Sequence, residues 1–101
     1  MAAYMIVNAR ISDREKFMAG YAPAASKLVE QFGGRYIVRT QGVTVLEGKL
    51  DEDSSVVISE WPDKAAALRF WNSPEYAEVR KLRQDCAECL VMLIEAPLMT
   101  A

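Results

Sequence analysis

Gly33-Gly34-Arg35-Tyr36-Ile37-Val38-Arg39 is the stretch at which this chain of 101 residues changes its periodicity. Upstream, Phe17, Tyr21, Ala24 or Ala25, Leu28 and Phe32 recur at the spacing of a single helix face. Downstream, Tyr36, Ile37 and Val38, followed by Val43, Thr44 and Val45, are the β-branched and aromatic residues of a strand. The glycine pair between them stops the helix. Further back, Ser12-Asp13-Arg14-Glu15 has the spacing of a helix-opening capping box. Before it, Tyr4 to Ala9 reads as a first strand, with Tyr4, Ile6 and Asn8 on one face and the drier set Met5, Val7 and Ala9 on the other. Pro23 interrupts the helical stretch, because it lacks an N–H and crowds the carbonyl four residues earlier. It predicts a kink or a fresh helix start near Ala22.

Forward of the glycine pair, Arg35 to Glu47 reads as one long bent strand with a bulge at Gln41-Gly42. A charged turn over Lys49 to Ser55 closes a hairpin with Val56 to Trp61. Pro62 and Asp63 open a second helix through Ala65, Leu68 and Trp71. Ser73-Pro74-Glu75 restarts it, with serine at the N-cap and proline at the first helical position. The apolar stripe of the restarted helix is Tyr76, Val79, Leu82, Cys86 and Cys89, and Leu90 to Ile94 comes next as a last strand, buried on both faces.

Strand, helix, two strands, helix, strand is the α+β order of a ferredoxin-like βαββαβ domain, a four-stranded antiparallel sheet with both helices on one face. One such domain spans residues 1–96, and 97–101 form a C-terminal tail. The second sheet face carries Ile6, Ile37, Val56 and Ile58, and a bare apolar face of that kind calls for a second copy packed against it, making a homodimer.

Composition narrows the function. The chain is 51% hydrophobic and 26% charged, with a net charge of −2, which suits a globular domain and offers no basic footprint for nucleic acid. No basic residue precedes Arg10 and no apolar run is long enough to span a bilayer, so the expected setting is the cytoplasm with no membrane partner. There is no histidine, which removes histidine-based triads, imidazole-ligated zinc or iron, and a proximal-histidine haem. Cys86 and Cys89 have the spacing of redox and zinc motifs. They sit at the end of the expected helix and on its apolar stripe, where a thiol is buried and not activated, so no metal and no cofactor is expected.

Arg39 and Glu60 are the residues singled out for chemistry. Strand parity puts Arg35, Ile37 and Arg39 on one face, and Val56, Ile58 and Glu60 on one face, and a bulge at Gly42 would bring Arg39 and Glu60 together. Two readings fit the pair. In one, Arg39 holds an acidic or carbonyl compound and Glu60 moves a proton, with Asn8, Trp71 and Tyr76 completing a ligand site. In the other, the pair is a structural ion pair of a non-catalytic interaction module. Tyr36 has the opposite parity and is expected under the helices. Arg80, Lys81 and Arg83 with Glu78 read as a solvated helix face.

The order of the Gly33–Arg39 stretch, Leu46-Glu47-Gly48, Ser59-Glu60-Trp61-Pro62 and Ser73-Pro74-Glu75-Tyr76 resembles the family called domain of unknown function 1330. The resemblance runs from Tyr4 to Glu95. It implies a ferredoxin-like domain that pairs into a dimeric α+β barrel. Arg39 and Glu60 fall on the family's recurring arginine and glutamate, and Trp61 stands where phenylalanine is usual. The family's glutamate and glycine at the end of the last strand become Glu95-Ala96 here, so the tail is expected to take its own path, across the partner subunit. Related barrels imply that any activity would be cofactor-free isomerase or monooxygenase chemistry.

Overall fold

The computed structural model describes residues 1–97 and 99. Strand β1 (Ala3–Ile11) leads into a short helix α1 (Arg14–Lys16), a π-helical turn (Phe17–Tyr21) and helix α2 (Ala22–Gln31). Asp13 caps this helical run, its side chain accepting from the Lys16 N–H at 3.1 Å. The π turn answers to Pro23: the Ala22 N–H reaches back five residues to the Phe17 carbonyl, and α2 restarts at Ala22 with the proline in its first turn, where no donor is needed.

Gly33 and Gly34 are both required after α2, for different reasons. Gly33 has a φ of 96°, the left-handed conformation of a helix terminus. Gly34 is the close approach: a Cβ there would stand 2.8 Å from three atoms of the Trp61 indole. Trp61 is 1% exposed and donates its indole N–H to the Ser59 hydroxyl at 2.9 Å. The glycine pair therefore seats the tryptophan beneath the helix end.

Strands β2 (Arg35–Arg39), β3 (Ser55–Trp61) and β4 (Ala87–Glu95) complete one antiparallel sheet in the order β2-β3-β1-β4. Helices α3 (Lys64–Trp71) and α4 (Pro74–Arg80) connect β3 to β4, followed by a 3₁₀ turn over Lys81–Arg83. Asp63 caps α3 through the Ala66 N–H at 2.8 Å, and Ser73 caps α4 through the Tyr76 N–H at 3.1 Å. All helices pack on the sheet face that carries Ala3, Met5 and Val7, where Trp61, Phe70 and Tyr76 fill the core. Among the described residues no helix is long and apolar enough to cross a membrane.

Three sequence expectations are corrected. The strand after the glycine pair ends at Arg39; residues 40–54 form an irregular loop, tied by Gly42 N–H to Ser54 O at 3.0 Å and Val43 N–H to Glu52 O at 2.9 Å. The helix before β4 ends at Arg83, so Cys86 occupies the next turn and Cys89 lies within β4. And β4 is not buried on both faces: Leu90, Met92 and Ile94 are 61%, 46% and 47% exposed, on the side away from the helices. The course expected for the 97–101 tail falls largely outside the described residues.

Candidate ligand cavity

A cavity of about 310 Å³ lies between the sheet and the helices. That is the low end of small-molecule sites, which run from roughly 300 to 1,000 Å³. Its floor is Val7, Val57 and Val91, three residues opposite one another on β1, β3 and β4. Its roof is Phe17, Met18 and Tyr21 of the π turn and Tyr76 of α4. Trp61 and Phe70 close the far end of the core, their rings 5.1 Å apart, and Trp71 stacks on Tyr76 at 5.3 Å as part of the wall.

The polar groups converge on the roof. The hydroxyls of Tyr21 and Tyr76 are 2.8 Å apart, and the two rings meet edge to face. Arg83 lies over the Tyr21 ring at 5.7 Å, and Arg39 over the Tyr36 ring at 5.4 Å. Burial pushes the Tyr21 phenol well above its ordinary value; Tyr76 adds to the shift and Arg83 opposes it. Burial also raises Tyr36, with Arg39 opposing. Burial works against the Arg83 charge, but neighbouring Tyr76, Cys89 and Tyr21 outweigh it, so the guanidinium stays above its ordinary value. At the mouth, Arg14 donates to the Ser55 hydroxyl at 3.3 Å. The Gln41 carboxamide, its oxygen turned toward Arg14, accepts from Nη1 at 2.7 Å.

The described lining contains Arg14, Arg39 and Arg83 but no aspartate, glutamate or lysine. None of the ion pairs among the described residues involves these three arginines. Cys89 also lines the space, and burial raises its thiol pKa, with Arg83 opposing and Cys86 adding, so it is neutral and a poor nucleophile. Cys86 is buried, donating weakly to the Leu82 carbonyl at 3.5 Å.

The residues singled out from sequence divide between the two faces of the sheet. Arg39, Trp71 and Tyr76 line the cavity. Asn8 and Glu60 do not, and the expected meeting of Arg39 with Glu60 does not occur. The bulge lies at Ile37, between the pairs Tyr36–Ser59 and Val38–Ile58, and not at Gln41-Gly42. The extra residue reverses the facing of every later side chain in the strand, so Arg39 stands opposite Val57 on the helix-covered face. Glu60 remains on the open face and takes Arg35 as its partner, its Oε1 accepting from Nε at 2.9 Å and Nη2 at 2.7 Å. That arginine holds the Glu60 carboxyl below its ordinary value. Tyr4 is the cross-strand neighbour of Glu60, and Asn8 lies farther along the same face between Val56 and Leu90.

Sequence reasoning missed Tyr21, Arg83 and Arg14 as cavity residues. Arg83 was legible in one respect, since Tyr76, Val79 and Arg83 share the i, i+3, i+7 spacing of one helix face. Its membership in a run of basic residues masked that spacing.

These features define a ferredoxin-like α+β domain with an arginine-rimmed apolar cavity between its layers. Its sequence matches the family model for a domain of unknown function, DUF1330, over residues 2–97, and the chain belongs to that family. No curated protein matches it. Among solved structures it is similar to the RPA0582 protein of unknown function from Rhodopseudomonas palustris, with 24% identity over 98% of this chain and 84% of that one and a TM-score of 0.80. It is also similar to SnoaB, a cofactor-independent oxygenase from Streptomyces nogalater, at 16% identity over 97% and 95% of the two chains and a TM-score of 0.69. The At3g17210 protein from Arabidopsis thaliana shares 12% identity over 98% and 99%, with a TM-score of 0.73. At these identities the likeness is one of fold.

Proposed function

We propose that this protein binds a small, largely apolar molecule bearing an acidic or carbonyl oxygen, in the cavity between sheet and helices. One observation carries this: three arginines without carboxylate partners surround an apolar space large enough for one or two rings. Arg83 is half-buried, and a guanidinium drawn from water without a carboxylate beside it is costly in a purely structural role; Arg14 and the exposed Arg39 add positive charge at the mouth, and all three suit an anion or a polarised carbonyl. Arg39, Trp71 and Tyr76 are the ligand contacts of this reading. Glu60 and Asn8 belong to the other sheet face, so Glu60 is not the proton carrier of a ligand held here. Fold likeness to a cofactor-independent oxygenase does not carry that activity across, and binding is the function these residues support.

The test is chemical-shift mapping with benzoate and acetophenone, one acid and one ketone of suitable size. Saturable shifts at Val57, Val91 and the Trp71 indole are expected. Shifts confined to Ile58 and Met92 on the open face, or none with either probe, would overturn the proposal.

A second reading concerns assembly and rests on the open face. Ile6, Ile58 and Met92 are aligned across the two central strands and β4, flanked by Leu90, Ile94 and Val38. A contiguous apolar strip of that extent favours pairing with a second copy, face to face about a two-fold axis. The Arg35–Glu60 pair and Tyr4 would then stand at one end of the seam.

A further inference from the structure

The cavity's hydrogen-bonding capacity discriminates between the two ligand classes allowed above. Each tyrosine hydroxyl carries one proton. In the Tyr21–Tyr76 contact one of the two O–H groups donates to the other oxygen, at 2.8 Å. The second proton has no protein acceptor among the described residues. Arg83, over the Tyr21 ring and next to the Tyr76 hydroxyl, contributes only donors, as do Arg39 and Arg14 at the mouth. This end of the cavity is thus rich in donors, positively charged and, among the described residues, without a carboxylate. It lacks acceptors for a ligand's own proton, beyond the neutral hydroxyls and amide already engaged.

Such a site favours the deprotonated form of whatever it holds, because the charged form gains the arginine field and every donor, whereas the protonated form brings a surplus donor of its own. We propose that the cavity binds a planar weak organic acid as its conjugate base, the anionic oxygen resting against Arg83 and the free phenolic O–H of the Tyr21–Tyr76 pair. Arg39 and Arg14 add positive potential from the mouth, and Val7, Val57 and Val91 hold the flat body. This rests on the cavity being the binding site, and goes beyond it in selecting an anion over a neutral carbonyl and in assigning Arg83, Tyr21 and Tyr76 to the oxygen.

The experiment uses 4-nitrophenol, whose ionised form is coloured, beside 4-nitroanisole, its neutral methyl ether of nearly the same shape. Spectrophotometric titration of the phenol with the whole protein is expected to lower its apparent pKa by about one unit or more, equivalent to a tenfold preference for the phenolate. The ether should bind at least about tenfold more weakly than the phenolate. Arg83→Met should abolish most of that preference, Arg83→Lys should retain much of it, and Tyr21→Phe should weaken it by a smaller factor; circular dichroism checks that each variant is folded. Equal affinity for phenolate and ether, with no change in pKa, would overturn anion selection and leave the cavity as a site for neutral carbonyl compounds. Retention of full preference in a folded Arg83→Met protein would overturn the assignment to Arg83. Failure of both compounds to perturb Val57 and Val91 would overturn the binding reading together with this one.

Discussion

Gly34 and Trp61 show how one residue's identity is dictated by another far along the chain. Gly34 has an ordinary negative φ, so alanine is permitted by the backbone; what forbids it is the indole 2.8 Å from the would-be Cβ. Gly34→Ala should therefore cost about 1–3 kcal/mol through overpacking, read as a lower urea midpoint with an unchanged slope. In a Trp61→Phe background the same substitution should cost less, since the smaller ring vacates the contact. An equal cost in both backgrounds would locate the constraint elsewhere. Arg39 makes the complementary point: its type suggested a ligand role, and which face it serves was settled by the residue two places before it.

Among the elements, the α3–α4 corner is the one most compactly encoded. Ser73 accepts the Tyr76 N–H at 3.1 Å and donates to the Phe70 carbonyl at 2.8 Å, thereby ending one helix and beginning the next with one hydroxyl. Ser73→Ala removes both bonds at a site 7% exposed and should lower stability by about 1–2 kcal/mol, measured by thermal or denaturant unfolding. Because the corner also sets Trp71 and Tyr76 into the cavity wall, the variant should weaken ligand binding along with stability. The π turn at Phe17–Tyr21 acts in the same way on the neighbouring part of the roof. Pro23 removes a donor, the turn widens to compensate, and Tyr21 is delivered within 2.8 Å of Tyr76.

At the scale of the whole molecule the two sheet faces differ. The helix-covered face holds the cavity, and the open face holds an apolar strip with Leu90 61% exposed. Sedimentation velocity at micromolar concentration should show a dimer. Met92→Lys should shift it toward monomer by placing a charge in the proposed seam while far-ultraviolet circular dichroism is unchanged. A wild-type monomer under these conditions would remove the assembly reading, and cavity binding would be unaffected by that result.

Strand and helix order, the restart at Pro23, the serine cap at the second helix break and the apolar open face were all legible along the chain. Each is a local matter: a period of 2 or 3.6, a missing N–H, a side-chain oxygen beside exposed amides. Of the residues singled out along the chain, Arg39, Trp71 and Tyr76 line the cavity, but the arrangement expected of them was illegible. Glu60 and Arg39 would share a face if the strand ran without a bulge from Arg35 to Arg39. Inserting one unpaired residue at Ile37 inverts every side chain after it, and no local preference of that valine- and isoleucine-bearing stretch marks which residue is the extra one. Arg83 and Tyr21 lie far apart along the chain and come together only when the 3₁₀ turn and the π turn meet over one sheet face. Local chemistry thus determined the elements. Register and docking, which depend on contacts between distant residues, decided which charges face the cavity and which face the open side of the sheet.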